Sequence, residues 1–491
     1  MKKIKIVLIL VFFIFWNMTG YSLERESSSA IKKLSINEVS RLALENSLNI
    51  QIAKYDAYIK RTELGKEESI FDTFLAVEAS YNKDKTKSAS SLAATETAAK
   101  TYSLELEKKL STGTTLTIGA VNEKTKTNAA AVTINPANET LGKVSIVQEL
   151  GKNFFGLADR GEIKITKIEV ENSEITSLDN IEEELYNVQK AYWNFVLKDS
   201  ELKIAEDILK EAKKLHTIYK QKFAIGLAER VDLLAMDANV KVKENNVLQA
   251  RLEKDTSKNE LLFLLNEPDL SLIIEPLDLL NITPSFADLS FSLKESIENR
   301  RDYKKIKNKL KAKGIDIVIK QNALWPQIDL QASYLRNGID SNLSQSFRGI
   351  TAEDDSEVYF GLTIKVPLEN REAKADFKSV NLEKARLLLE LKKTERGILK
   401  EVNNRVQEVN ILKNKVETFA QIAELQREKL NQERKRLKYG RSSSDVVIRY
   451  EDDLLGARLS YVKVLYGYRV SLAGLELDKN TLLDKYWEAE L

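Results

Sequence analysis

From Glu162 to about Asn266, apolar residues recur every three or four positions. Leu185, Val188, Tyr192, Phe195, Leu202, Ala205, Leu209, Ala212, Tyr219 and Phe223 fall on one stripe of a helix. A return arm follows through Val231, Leu234, Val240, Val247, Leu248, Leu252 and Leu261. No proline interrupts this stretch, and its only glycine is Gly226. The pattern predicts a helical hairpin over 157–266 with its tip near Gly226. At about 1.5 Å per residue the first arm reaches about 90 Å, far beyond an ordinary globular helix. A second hairpin is expected over 370–487, with Val402, Val409 and Val416 seven apart and a turn near Gly440.

Elsewhere the period differs. Ile36 to about Glu68 reads as a helix, with Asn37 placed to cap it. The period then drops to two. Leu75, Val77, Ala79 and Tyr81 alternate with Phe74, Ala76, Glu78 and Ser80, and Tyr102, Leu104 and Leu106 with Ser103, Glu105 and Glu107. After a Ser111-Thr112-Gly113-Thr114 turn come Leu116, Ile118 and Ala120, and last a short run, Val144–Gln148. Polar stretches 82–100 and 122–142 read as loops. A shift of 253 positions carries Ser35–Asn82 onto Asp288–Leu335 without a gap, so the second half restates the first. That half offers a helix over 293–322, strands over 327–366 ended on the helical side by Trp325-Pro326, then the second hairpin. The expected organisation is a first repeat 23–267 (helix 36–68, strands 74–148, hairpin), a linker 268–287 holding Pro268, Pro276 and Pro284, and a second repeat 288–491.

Composition narrows the classes. Lys+Arg number 76 and Asp+Glu 74, so a net charge of +2 makes no electrostatic case for nucleic acid. With no cysteine there is no disulfide framework and no thiol chemistry. Lys2, Lys3 and Lys5 precede an apolar run, Ile6–Trp16, and small residues Gly20 and Ser22, which reads as a signal peptide over 1–22. No later stretch is long and apolar enough for a membrane helix, so any return to a membrane must use β-strands. Alternating ten-residue strands fit an outer-membrane barrel; a soluble sandwich edge fits the alternation alone.

With that order in place, the chain resembles the TolC family of outer-membrane efflux channels. Ala323–Tyr334 is similar to the family's helix-to-strand approach, and Gln148-Glu149-Leu150-Gly151-Lys152-Asn153-Phe154-Phe155-Gly156 to its strand-to-helix exit, with Glu149 where proline is often found. Lys222–Gly226 with Val231-Asp232-Leu233-Leu234, and Lys438-Tyr439-Gly440 with Asp445-Val446-Val447, resemble its hairpin tips. The resemblance implies an α+β membrane protein of two tandem repeats. Three identical chains would form one outer-membrane β-barrel continued by a periplasmic α-helical barrel. It also implies a passive conduit in a tripartite efflux or type I secretion system. The partners would be a periplasmic adaptor protein, an inner-membrane efflux pump or ABC exporter, and outer-membrane lipid. In the family each repeat offers two strands; this first repeat offers four, so either the barrel is larger or the hairpin around Ser111–Val121 folds elsewhere. A periplasmic adaptor with its own helical hairpin, or a structural coiled-coil protein, is the alternative.

No residue reads as catalytic, and no cofactor or metal site is expected. Asp452-Asp453 and Glu182-Glu183-Glu184 lie on long charged helices and read as solvated. His216, the one histidine, reads as a surface residue. Gly226 and Gly440 suit the positive φ that closes a helix end. The resemblance implies an acidic ring at the constriction after the second turn, for which Asp445 is the best match. A helix cap is its other reading. Asp232 holds the matching place in the first tip as a cap or first-turn residue. Leu227, Ala228, Arg441 and Ser442 complete the tips, with Gly226, Asp232 and Gly440, as candidate adaptor contacts.

Overall fold

The structure, a computed structural model, describes residues 32–87, 94–281, 287–352 and 355–486. The expected signal segment 1–22, Pro284 and Trp487 lie outside the described residues. Helices α1 (Ile36–Asn46) and α2 (Leu48–Glu68) open the chain. The first hairpin joins α3 (Leu157–Ala224) to α4 (Arg230–Leu264). Helices α5 (Leu289–Asn299) and α6 (Arg301–Asn322) come next. A short α7 (Leu343–Ala352) precedes the second hairpin, α8 (Arg371–Lys438) and α9 (Ser444–Lys479).

Each long arm has 68 residues, while the return arms have 35 and 36. A 68-residue helix spans about 100 Å and its return arm about half of that. The uncovered half of the apolar stripe needs another partner. Helix α2 lies along α3, and α6 lies between α3 and α8. The seven-spaced Val402, Val409 and Val416 are fully buried, in one cluster with Leu465 and Tyr468 of α9.

The expected continuous helices 36–68 and 293–322 are each broken in two. The breaks fall at Ser47 (φ −59°, ψ 127°) and Arg300 (φ −52°, ψ 117°), positions 253 apart, so the duplication includes them. Neither break carries a glycine or proline. They are held by contacts from elsewhere: Asn49 Nδ2 donates to Glu184 Oε1 at 3.0 Å, and Arg300 Nη1 donates to the Asp478 carbonyl at 3.1 Å. Ser35, rather than Asn37, caps α1. Its hydroxyl accepts from Glu38 N, and Glu38 accepts from Ser35 N at 2.8 Å, a reciprocal capping box.

The segment between the repeats is structural as well as connecting. Strand β1 (Lys32–Leu34) pairs in parallel with β6 (Ile274–Pro276). Beside them the Tyr192 hydroxyl lies 2.9 Å from the Leu34 carbonyl and 2.7 Å from Asp278 Oδ2, and burial pushes its pKa well up. The reading of Glu182–Glu184 as solvated is corrected for two of the three. Glu182 is fully buried and accepts from Arg301 Nη1, from Asn480 Nδ2 at 2.7 Å and from Leu483 N at 3.0 Å. Glu184, also buried, faces Ser47 and Asn49. Glu182 thus joins α3 of the first repeat to α6 and the segment after α9 in the second and binds the halves together, while Glu184 ties α3 to the α1–α2 break within the first repeat.

The remaining strands form one antiparallel sheet in the order β2 (Thr73–Asp84), β3 (Thr97–Lys109), β4 (Thr114–Thr127), β5 (Ala137–Glu149), β7 (Gln327–Asp340), β8 (Ser356–Lys365). The hairpin around Ser111–Val121 therefore lies within the sheet rather than elsewhere. Strands reach into both stretches read as loops, because alternation continues there with Thr, Lys and Asn in place of apolar residues. Helix α7, in the β7–β8 connection, was not foreseen. It is seated where Ser346 Oγ lies 2.7 Å from Thr140 Oγ1, and a Cβ on Gly338 would meet the Ser346 carbonyl at 2.2 Å.

Candidate functional site

Register divides the sheet into two faces. Leu75 opposes Leu106, Leu106 opposes Ile118, and Ile118 opposes Val144, which opposes Tyr334 and then Val358. Val77, Leu104 and Ala120 flank this row on one side and Ile146, Ala332 and Phe360 on the other, widening it into an apolar band with most of its large side chains exposed. The opposite face carries Glu78, Glu105, Glu107, Thr117, Ser145, Gln331 and Thr363. An exposed apolar face backed by a polar one, on strands of 10 to 14 residues, suits a sheet with lipid on one side and water on the other. No described helix is long and apolar enough to cross a membrane.

The two motifs that flank the sheet meet in space. Leu150 N donates to the Ile328 carbonyl at 2.7 Å and Lys152 N to the Pro326 carbonyl at 3.0 Å. Asn322 Oδ1 accepts from Asn153 N at 2.8 Å. A Cβ on Gly151 would lie 2.0 Å from the Pro326 carbonyl oxygen, so glycine is required by close approach there. The Glu149 position also gains a reason. Its N–H donates to the Gly113 carbonyl at 3.1 Å, and Gln148 Nε2 donates to the Thr112 carbonyl at 2.9 Å. Proline at 149 has no N–H to give. The departure from the family pattern thus supplies a donor that the additional turn uses.

At the far end, Gly226 (φ +73°) and Gly440 (φ +68°) close α3 and α8. Leu227 N donates to the Lys222 carbonyl at 2.8 Å and Arg441 N to the Arg436 carbonyl at 2.9 Å, the same left-handed closure twice. Leu227 is 72% exposed and Arg441 is exposed, whereas Ala228 packs into the apolar tip cluster of Tyr219, Met236, Leu437 and Val447. The Ser442 hydroxyl is engaged by Glu433. Asp232 lies in the first turn of α4 and accepts from Glu229 N at 3.2 Å. It also accepts from Ser444 Oγ at 3.1 Å, joining the two tips. Asp445 is exposed in the first turn of α9, while Ser443 occupies the cap position, so Asp445 is not the cap.

Sequence reasoning missed a charged layer just behind the tips. Arg434 of α8 donates to Glu211 of α3 at 2.9 Å and to Glu451 of α9 at 2.8 Å. Glu451 is fully buried, and burial pushes its carboxyl above the usual range against the opposing pull of Arg434. Lys243 of α4, also buried, pairs with Asp452, and Lys429 pairs with Asp453 at 2.8 Å, so neither aspartate is merely solvated. The spacing held the signal: Glu451 stands between Val447 and Leu454 on the apolar stripe of α9, where a charge needs a partner. His216 sits at 2.7 Å from Asp237. A group of three or more side chains fit for a metal ion does not occur among the described residues.

Comparison with solved structures finds the same fold. The Campylobacter jejuni CmeC outer membrane channel aligns at TM-score 0.68 and 15% identity, over 91% of this chain and 86% of that one. The outer membrane protein VceC of Vibrio cholerae aligns at 0.67 and 14%, over 92% and 95%. The open state of the Neisseria gonorrhoeae MtrE outer membrane channel aligns at 0.65 and 17%, over 91% and 89%. A search of curated protein sequences finds no match. The model of the outer membrane efflux protein family matches residues 115–267 and 292–477, more than half of the chain and parts of both repeats. The chain belongs to the outer membrane efflux protein family, with its sheet in the outer membrane and its long helices in the periplasm.

Proposed function

We propose that three copies of this chain assemble into a passive conduit, entered at the helical tips and opening through the sheet. The observation that carries this reading is the pairing, in one chain, of an apolar-faced sheet whose edge strands have no outer partner among the described residues with two hairpins that each have one 68-residue arm. Lipid cannot satisfy bare strand edges, so a sheet of this kind must be closed by further copies. The polar sheet face and the inner sides of the helices would then line one continuous path. The tips, with Leu227 and Arg441 outermost and Ala228 packed behind them, form the surface offered to a periplasmic adaptor. An inner-membrane pump or ABC exporter supplies the energy. The conduit performs no reaction and needs no cofactor. The family match and the apolar-faced sheet favour this reading over an adaptor or a coiled-coil structural protein.

The test is the native mass of protein extracted from the membrane fraction, corrected for bound detergent, together with planar-bilayer conductance. A trimer that conducts supports the reading; a detergent-independent soluble monomer overturns it. At the constriction, Asp445 of three chains would form a carboxylate ring that favours cations. Asp445→Ala is expected to raise single-channel conductance or weaken block by multivalent cations, and no change in either removes Asp445 from the gate.

A further inference from the structure

We infer that the outer-membrane barrel of this protein is closed by eighteen strands, six from each of three copies, through a seam between β8 of one copy and β2 of the next. The inference rests on the trimeric reading above and extends it.

Three observations carry it. First, all six strands are consecutive neighbours in one antiparallel sheet, and the register is unbroken through the additional hairpin. Strand β4 is bonded along its length on both sides, so it cannot leave without exposing two ladders. The turn at its foot is locked to the channel junction by the Glu149 N–H, and Gly113 and Gly156 approach so closely that neither tolerates a Cβ. Second, the apolar band runs without a gap across the additional strands and out to both edges. Leu106 and Ile118 carry the row that Leu75 begins on β2 and that Val144, Tyr334 and Val358 complete on β5, β7 and β8. A hairpin folded over the barrel mouth would not need an apolar face in register with its neighbours. Third, β2 and β8 each lack a strand partner on their outer side among the described residues, and nearly all their residues are exposed. Six is even, so β8 of one copy meets β2 of the next antiparallel, as the rest of the sheet requires. The same contact repeated head to tail closes a ring.

The consequence is a wider membrane portal. Strands about 4.8 Å apart and tilted about 40° give a barrel of about 36 Å backbone diameter for eighteen strands, against about 24 Å for twelve. Barrels of this strand number leave an aqueous channel. The narrow part of the path then lies in the helical tunnel and its tips, not in the membrane.

The chain has no cysteine, so engineered pairs report without background. Val77→Cys is combined in turn with Val358→Cys, Phe360→Cys and Leu362→Cys, all on the apolar face. The full-length protein is oxidised in outer membranes and run on a denaturing gel. Separately, single variants Leu104→Cys and Ile118→Cys carry an environment-sensitive fluorophore and are challenged with brominated lipid. The expected result is a covalent ladder ending at three chains for one of the pairs, and lipid quenching at both single positions. A three-chain ladder with Leu104 and Ile118 water-exposed overturns eighteen strands and leaves the trimer standing. A ladder ending at another number overturns the trimer. No cross-link from any pair, in protein whose native mass is trimeric, overturns the seam.

Discussion

Arg434→Met isolates the charged layer behind the tips. The guanidinium holds Glu451, which has no exposed surface, and Glu211, which is about a third exposed. Stripping one partner from a buried ion pair costs about 3–5 kcal/mol, because the other charge stays behind uncompensated. Buried Lys243 still exerts some pull on Glu451, which places the loss near the lower end, about 3 kcal/mol. The Glu211 contact, partly wetted, adds under about 1 kcal/mol. In hydrogen exchange of the detergent-solubilised channel, about 3 kcal/mol is about a hundredfold faster local opening around 430–454. The loss also has a pH signature. Glu451 is shifted upward in the folded protein, chiefly by burial, so the native state holds its proton more tightly than the unfolded one. Stability from this group is present below the ordinary carboxylate value and is lost as pH rises through the folded value. Without Arg434 the folded value moves higher still, so the variant's tip should be better protected at pH 5 than at pH 7.5. Arg434→Met with Glu451→Leu removes the stranded charge and should recover most of the protection. Unchanged protection in the single variant, or equal loss in the double variant, would refute the argument.

Two further substitutions probe the joints of the fold. Glu182→Gln leaves buried Arg301 with Asp179 at 3.6 Å as its one remaining charge partner among the described residues; a loss of about 3–5 kcal/mol is expected, read as trypsin sensitivity of the extracted protein near 301 and 480. Gly151→Ala drives a methyl into the Pro326 carbonyl. At least about 1–3 kcal/mol of strain should follow, and the amount of assembled channel in outer membranes should fall while the total amount of chain synthesised does not.

Much of the architecture is legible in the sequence because it is repetitive. A 68-residue arm offers many turns of one stripe, and Val402, Val409 and Val416 all reach full burial as their spacing implies. The tip glycines are legible for a similar reason, since positive φ leaves few choices of residue. What escapes is whatever depends on a partner far along the chain. The breaks at Ser47 and Arg300 have no local breaker; their restraints come from Glu184 and Asp478. Glu182 looks like its exposed neighbour Glu183 until Arg301, 119 positions away, is brought beside it. Arg434 and Glu211 are separated by 223 positions, and charge alone does not distinguish them from the solvated residues around them.

Position 149 shows how such a signal can be recovered. Taken alone, a glutamate in place of proline is a small deviation at the end of a strand. Taken alone, four strands where two are expected is an ambiguity of topology. The hydrogen bond from Glu149 N to Gly113 O links the two, since the added turn accepts from a donor at the position where proline would supply none. Glu149→Pro should therefore unseat the 110–114 turn while leaving the β5–β7 ladder and the helical hairpins in place. Exchange of the amides of Gly113 and Thr114 reads that directly. If those amides stay as protected as in the parent chain, the link between the residue and the hairpin is wrong, and the additional strands must be held by their ladders alone.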